Sequence, residues 1–276
     1  TQLEGGDHLD DGSGTMGPTA DALLVLAGTE DSSFKAVADK MLAYLRTNAA
    51  DYATNPGGAA KLLIVASTFG IDPTDFGGVN LVNATLAGVK ADGSFGAYPG
   101  AYSSGVAMVA LARAGATVSP AMTTWLLGQV GADGGFGYAA GQPSDADSTG
   151  MALMGLKAVN APVAAATITT AAQWLTDNQA ADGSWAGYVP ANSTAIGGMG
   201  QLAAGQPATK ALAYTAGIQL ATGAFPNSGD ADIVATNQAA LFLAGASYLT
   251  VTWDPSWASP VVRPTPTPTT TTVKPT

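Results

Sequence analysis

The sequence predicts an all-α domain of stacked helical pairs, and three observations carry that expectation. A turn of Ala-Asp-Gly followed by an aromatic ring recurs, as ADGSFG at Ala91–Gly96, ADGGFG at Ala132–Gly137 and ADGSWAG at Ala181–Gly187. Each turn closes one amphipathic segment and leads, through a Gly/Pro/Tyr-rich link, into an almost uncharged segment of Ala, Leu and Met. Those apolar segments recur about every 45 residues, within the range of helical-pair repeats.

Six apolar segments follow in order: TADALLVLAG from Thr19, KLLIVASTFG from Lys61, VAMVALARAG from Val106, MALMGLKAVN from Met151, IGGMGQLAAG from Ile196 and TNQAALFLAG from Thr236. Their lack of charge predicts an inner layer buried on most sides. Five amphipathic segments alternate with them, at Ser33–Tyr52, Asn80–Lys90, Ala121–Gly131, Ala164–Asn178 and Ala208–Gln219, and these hold most of the Lys and Asp, as an outer layer would. One such pair cannot bury its own apolar stripe, so successive pairs must share a core.

The residues fall into four stretches. Residues 1–17 are short, Gly-rich and poorly helical, and 18–249 are the repeat domain. Residues 250–262 contain Trp253 and Trp257 and read as a closing segment: the outer position for which no sixth amphipathic segment exists is expected to be either open or covered by Thr250–Pro260, with both Trp as anchors. Residues 263–276, RPTPTPTTTTVKPT, have too few apolar groups to join a core. They read as an extended stalk or linker, with Thr265, Thr267, Thr269, Thr270, Thr271 and Thr272 as O-glycosylation candidates. Asn83 and Asn192 fit the N-glycosylation pattern.

Composition narrows the function classes. The 276 residues carry a formal net charge of −10, which offers nucleic acid or an anionic membrane surface no attraction. There is no Cys, hence no disulfide and no thiol nucleophile. No apolar run is long enough to span a bilayer. The chain opens on Thr1 rather than Met, which with the Pro/Thr tract predicts a processed protein, secreted or held at the cell surface.

The stretch AQWLTDNQAADGSW resembles the QW repeat of triterpene cyclases, with Trp174, Leu175, Gln179, Gly183 and Trp185 at the motif positions. A second copy supplies Lys210, Ala211, Tyr214, Gln219, Gly223 and Phe225, and a looser one Trp125, Leu126, Gln129, Gly134 and Phe136. The resemblance implies the α/α toroid of terpenoid cyclases and protein prenyltransferases. Its nearest counterparts are short secreted bacterial proteins built from prenyltransferase/squalene-oxidase-type repeats. Six inner and about five outer helices are then expected, with a Pro/Thr-rich extended C-terminal tail. The motif itself reads as structural. Asp92, Asp133 and Asp182 suit the turn, the following glycines take positive φ, and Phe95, Phe136, Trp185 and Phe225 fill the space between helix pairs.

The family's zinc site uses Asp, Cys and His. With no Cys and only His8 outside the repeats, it cannot be assembled, so no metal ligands are assigned and prenyl transfer is excluded. Class II cyclases protonate their substrate with the middle carboxyl of Asp-x-Asp-Asp. Asp145-Ala146-Asp147-Ser148 stands in that place, with Asp147 at the position of the proton donor and Ser148 in place of the last Asp. The triplet recurs as Asp230-Ala231-Asp232, again leading into an inner segment, which is more simply explained by helix capping than by a unique acid. Cap, cation ligand and acid all remain open for Asp145 and Asp147.

Parallel inner helices would gather their starts on one rim, bringing together Asp21, Ser103, Ser104, Asp145, Asp147, Ser148, Thr149, Ser193, Thr194, Asp230, Asp232, Thr236 and Asn237. Such a rim is acidic and rich in hydroxyls, suited to a glycan or to a hard cation such as calcium, although ordinary capping explains most of these residues. No cofactor is assigned. The resulting expectation is a non-catalytic binding or assembly module for an extracellular small molecule, glycan or protein. The alternatives are a reduced cyclase using Asp147 as general acid, a cobalamin carrier, and a self-assembling filament or surface-layer subunit.

Overall fold

The computed structural model describes residues 6–254. Within them lie twelve α-helices: α1 Met16–Gly28, α2 Lys35–Thr47, α3 Ala49–Tyr52, α4 Pro56–Thr68, α5 Leu81–Leu86, α6 Ala101–Arg113, α7 Pro120–Leu127, α8 Ala146–Val159, α9 Ala165–Asp177, α10 Pro190–Ala203, α11 Thr209–Gly217 and α12 Ile233–Leu243. One short antiparallel pair, β1 Phe225–Asn227 and β2 Asp230–Asp232, sits just before α12.

Local chemistry sets where the helices start. Asn55, Asn80, Ser119, Asp145 and Asp232 each accept a backbone N–H of the first turn, and Pro56 and Pro120 open their helices where no N–H partner is required. The inner helices therefore begin ahead of the apolar blocks that mark them in the sequence. α6 starts at Ala101 rather than Val106, for example, because its polar first turn faces the rim.

The six inner helices are α1, α4, α6, α8, α10 and α12. Each packs on the next, and α12 packs on α1, so the inner layer is a closed ring. Asn237 of α12 seals the join by donating its Nδ2 to the carbonyl of Pro18 at 3.0 Å. The amphipathic segments form α2 with α3, then α5, α7, α9 and α11, each lying against neighbouring inner helices. Among the described residues six inner helices and five outer positions are thus present, the first outer position shared by α2 and α3, and the fold is an α/α toroid.

Half of the ring is packed at backbone contact. A Cβ added to Gly150 of α8 would lie 2.3 Å from the carbonyl oxygen of Ile196 on α10, and one added to Gly155 would lie 2.7 Å from the Cα of Gly105 on α6. No side chain fits there, so glycine permits the approach that draws α6, α8 and α10 together. The turn rings fill the gaps between helix pairs, with Phe95, Phe136, Trp185 and Phe225 all buried. At Gly183, φ is +96° and a Cβ would meet the Lys210 carbonyl oxygen at 2.3 Å, so the turn demands glycine on both counts. Gln179 and Gln219 span their turns by donating Nε2 to the carbonyls of Gly183 and Gly223, each at 2.9 Å.

The described part of the segment after α12, residues 244–254, does not lie along the outer position between α12 and α1. It runs instead across the carboxyl ends of α4 and α6, on the far side of the ring. The Trp253 N–H donates to the Thr68 carbonyl at 2.9 Å, and the indole stacks on Phe69 with centroids 5.5 Å apart. The physical reason is a buried cation. Arg113, at the end of α6, draws in the carbonyls of Tyr248 and Val251, which a groove on the outer wall would not hold. Trp253 is an anchor; Trp257, the remainder of the expected closing segment and the Pro/Thr stretch with its candidate glycosylation threonines lie outside the described residues.

Candidate functional site

All inner helices point the same way, so their amino ends form one rim. Most of its hydroxyls are engaged in holding the turns. Thr149 Oγ1 accepts the Phe136 N–H at 2.9 Å, Thr236 that of Phe225 at 2.9 Å, Thr194 that of Trp185 at 3.3 Å, and Thr19 that of Leu9 at 2.9 Å. A threonine on each of these four inner helices fixes the residue that plugs the preceding gap, a repeat rule that the notion of a hydroxyl-rich rim concealed. Ser103 exchanges hydrogen bonds with Gly100 across the start of α6, while the hydroxyl of Ser104 is buried without a partner.

The two acidic triplets are not equivalent. Asp145 is the N-cap of α8, accepting the Ser148 N–H at 2.7 Å and its hydroxyl at 2.9 Å. In the second triplet the last residue takes that role: Asp232 accepts the Ala235 N–H at 2.7 Å, and Asp230 is exposed on β2. Asp147 consequently has no counterpart in α12 and caps nothing. It is the second residue of the helix and reaches sideways to α10, where Ser193 Oγ donates to Oδ2 at 2.6 Å. Burial raises its pKa, opposed by the Ser193 hydrogen bond and reinforced by Asp145.

A second polar group lies deeper. Asp21 of α1 is buried and pairs with Lys61 of α4 at 2.7 Å. Burial opposes the Lys61 charge, but Asp21 overrides it and holds the ammonium protonated beyond its usual range. Tyr102 of α6 faces this pair, and burial pushes its phenol up to about 12.

The lumen is filled from the opposite end. Arg113 donates Nη1 to the Tyr248 carbonyl at 2.6 Å, and Nη2 to the Thr68 hydroxyl at 3.0 Å and to the Val251 carbonyl. From that anchorage the buried Tyr248 side chain extends inward, its hydroxyl 3.5 Å from Asp21 Oδ1 and facing Gln238 of α12. A side chain that meets α1 and α12 while its backbone is tied to α6 occupies the axis of the ring. Lys61, Tyr102, Arg113 and Tyr248 escaped the sequence reading. The available signal was a charge, Lys61 or Arg113, inside an otherwise apolar inner segment.

Beside the rim, a surface cavity of about 570 Å³ opens between α1, α2, α3 and α4, lined by Asp11, Thr15, Tyr44, Asp51, Tyr52 and Lys61 among others. Among the described residues, no three Asp, Glu or His side chains are grouped as metal ligands, and no helix is long and apolar enough to cross a membrane. Asn83 lies in α5, and Asn192 in the first turn of α10 with its side-chain oxygen buried.

The closed ring with parallel inner helices defines the class: a terpenoid-cyclase-like α/α fold. Among the solved structures that share it are two of low sequence identity. One is ent-copalyl diphosphate synthase from Streptomyces platensis, at 19% identity and a TM-score of 0.60 over 84% of this chain and 50% of that one. The other is a protein from Actinoplanes, at 13% identity and a TM-score of 0.66 over 83% of this chain and 89% of that one. The chain spans half the length of the synthase it matches. No family model and no curated protein matches the sequence.

Proposed function

We propose that this chain is a non-catalytic binding module, carried outside the cell, that meets its partner on the amino-terminal face of the ring. One observation carries the reading: Tyr248, held at its backbone by Arg113, fills the axis of the ring. Sites for ligands of drug size occupy roughly 300–1,000 Å³, and a polyprenyl chain needs such a volume along the ring axis. Here that space holds a phenol, an ion pair and closely packed glycine-bearing helices. The Pro/Thr-rich stretch from Arg263, which reads as a spacer, supports an extracellular setting.

A second reading, a reduced cyclase, draws on Asp147. Its carboxyl is half-buried and desolvation raises its pKa, which keeps a fraction of it protonated at higher pH than an exposed Asp. Incubating the protein with squalene and with geranylgeranyl diphosphate, beside Asp147→Asn, separates the two. The binding reading expects no cyclic product from either protein, and a product that vanishes in D147N overturns it.

A further inference from the structure

Three tyrosines in the links that enter inner helices stand largely in solvent, while the turn rings that precede them are buried. Tyr98 is 94% exposed, Tyr138 66% and Tyr188 96%. They follow the buried turn rings Phe95, Phe136 and Trp185 by two or three residues, in the links that lead into α6, α8 and α10. All three therefore lie on the amino-terminal face.

The turns that carry them are joined. A Cβ on Gly100, two residues after Tyr98, would stand 2.3 Å from the carbonyl oxygen of Tyr138. On the other side, a Cβ on Gly187, the neighbour of Tyr188, would stand 1.9 Å from Ser193 Oγ and 3.6 Å from Asp147 Oδ2. The order along the rim is thus Tyr98, Tyr138, the Asp147–Ser193 pair, Tyr188. The helices beneath are the ones drawn together through glycine, so their axes sit near the short end of the usual ~8–10 Å separation. The spacing of the three rings is set by the most tightly packed part of the fold.

Resting on the binding-module reading, we infer that this row is a platform for an extended neutral polysaccharide. A tyrosine presents an apolar, electron-rich face with a polar edge. The C–H face of a pyranose is its complement, and a row of exposed rings along one face suits a polymer that repeats the same face along its length. A partly solvent-accessible carboxylate paired with a serine hydroxyl, set between two of the rings, accepts sugar hydroxyls. The charge of the chain, −10, selects against anionic polymers.

The test is affinity electrophoresis in gels cast with hydroxyethylcellulose, glucomannan or glycol chitin, and calorimetry with cellohexaose and chitohexaose. It compares the wild-type protein with a triple variant, Tyr98→Ala/Tyr138→Ala/Tyr188→Ala. These side chains are in solvent, so the variant keeps the fold, which circular dichroism verifies. The expected result is retention of the wild type by at least one polymer and at least a tenfold loss in the variant. Equal retention of both proteins, or retention of neither, overturns the proposal. So does binding of a synthetic RPTPTPTTTT peptide at the tyrosines with no polysaccharide retained. Failure in any of these ways leaves the non-catalytic reading standing, because that reading falls only to an Asp147-dependent cyclic product.

Discussion

Arg113 Nη1 donates to the main-chain oxygen of Tyr248 at 2.6 Å, tying the last turn of one inner helix to a segment 135 residues further along. Burial lowers the Arg113 pKa to about 10, so the guanidinium is still cationic at neutral pH and gives its strength to two backbone carbonyls and the Thr68 hydroxyl. Arg113→Met keeps the apolar stem but leaves those acceptors buried and unpaired. The expected loss is about 3 kcal/mol, measured by urea denaturation. Limited proteolysis within residues 246–254 is expected to accelerate in parallel.

Tyr248 distinguishes a filled axis from an empty one. Tyr248→Ala removes a buried ring and is expected to cost about 4 kcal/mol, whereas Tyr248→Phe, which keeps the ring and loses the contacts of its hydroxyl with Asp21 and Gln238, costs about 1 kcal/mol. A small apolar fluorophore should bind Tyr248→Ala and not the wild type. Equal stability of the two variants would show that the ring does not fill the lumen.

Breaking the ion pair beneath it is a stronger perturbation. Asp21→Asn leaves the Lys61 ammonium without its partner in a partly buried site, with an expected loss of about 3 kcal/mol. Lys61→Met in the same background should recover part of that loss, because the uncompensated charge is gone. The double-mutant cycle reads the coupling directly.

Asp147 gives a pH signature of known sign. Its folded-state pKa is raised by burial, so the folded state holds this proton more tightly than the unfolded chain. That contribution is fully present below the unfolded value of about 3.9 and is lost as pH rises through the folded value. Asp147→Asn removes the dependence. Its melting temperature should match the wild type near pH 3.5 and exceed it by roughly 2–4 °C at pH 7, about 1 kcal/mol for a chain of this length. A variant less stable at pH 7 would mean that the Ser193 hydrogen bond outweighs desolvation.

Two glycine substitutions are expected to differ in sign. Gly150→Ala drives a methyl to 2.3 Å from the Ile196 carbonyl oxygen, costing about 3 kcal/mol. At Gly217, on α11, an added Cβ meets nothing within 4 Å and φ is not positive, so alanine gains about 0.5 kcal/mol. Thermal melts of the two proteins are the check.

The repeated turn made the fold legible. Asp182, Gly183 and Trp185 act within a few residues of one another, and a local rule copied along the chain is visible as a period. The same locality misled at the acidic triplets, where identical letters enter helices at different registers: Asp145 caps α8, yet it is Asp232, not Asp230, that caps α12. Trp253 was recognised as an anchor, but its place was not, because nothing near it in sequence names Thr68 or Arg113 as its neighbours.

By itself, the sequence determined the helical pairs, their number, the turn chemistry and the absence of the ligands zinc would need. These follow from short-range preferences and composition. Only the tertiary structure decided that the ring closes through Asn237 and Pro18, that Tyr248 occupies its axis, and that Asp147 turns toward Ser193 rather than capping its own helix. Each of those depends on contacts between residues far apart in the chain, whose energy comes from burial and geometry that no single repeat contains.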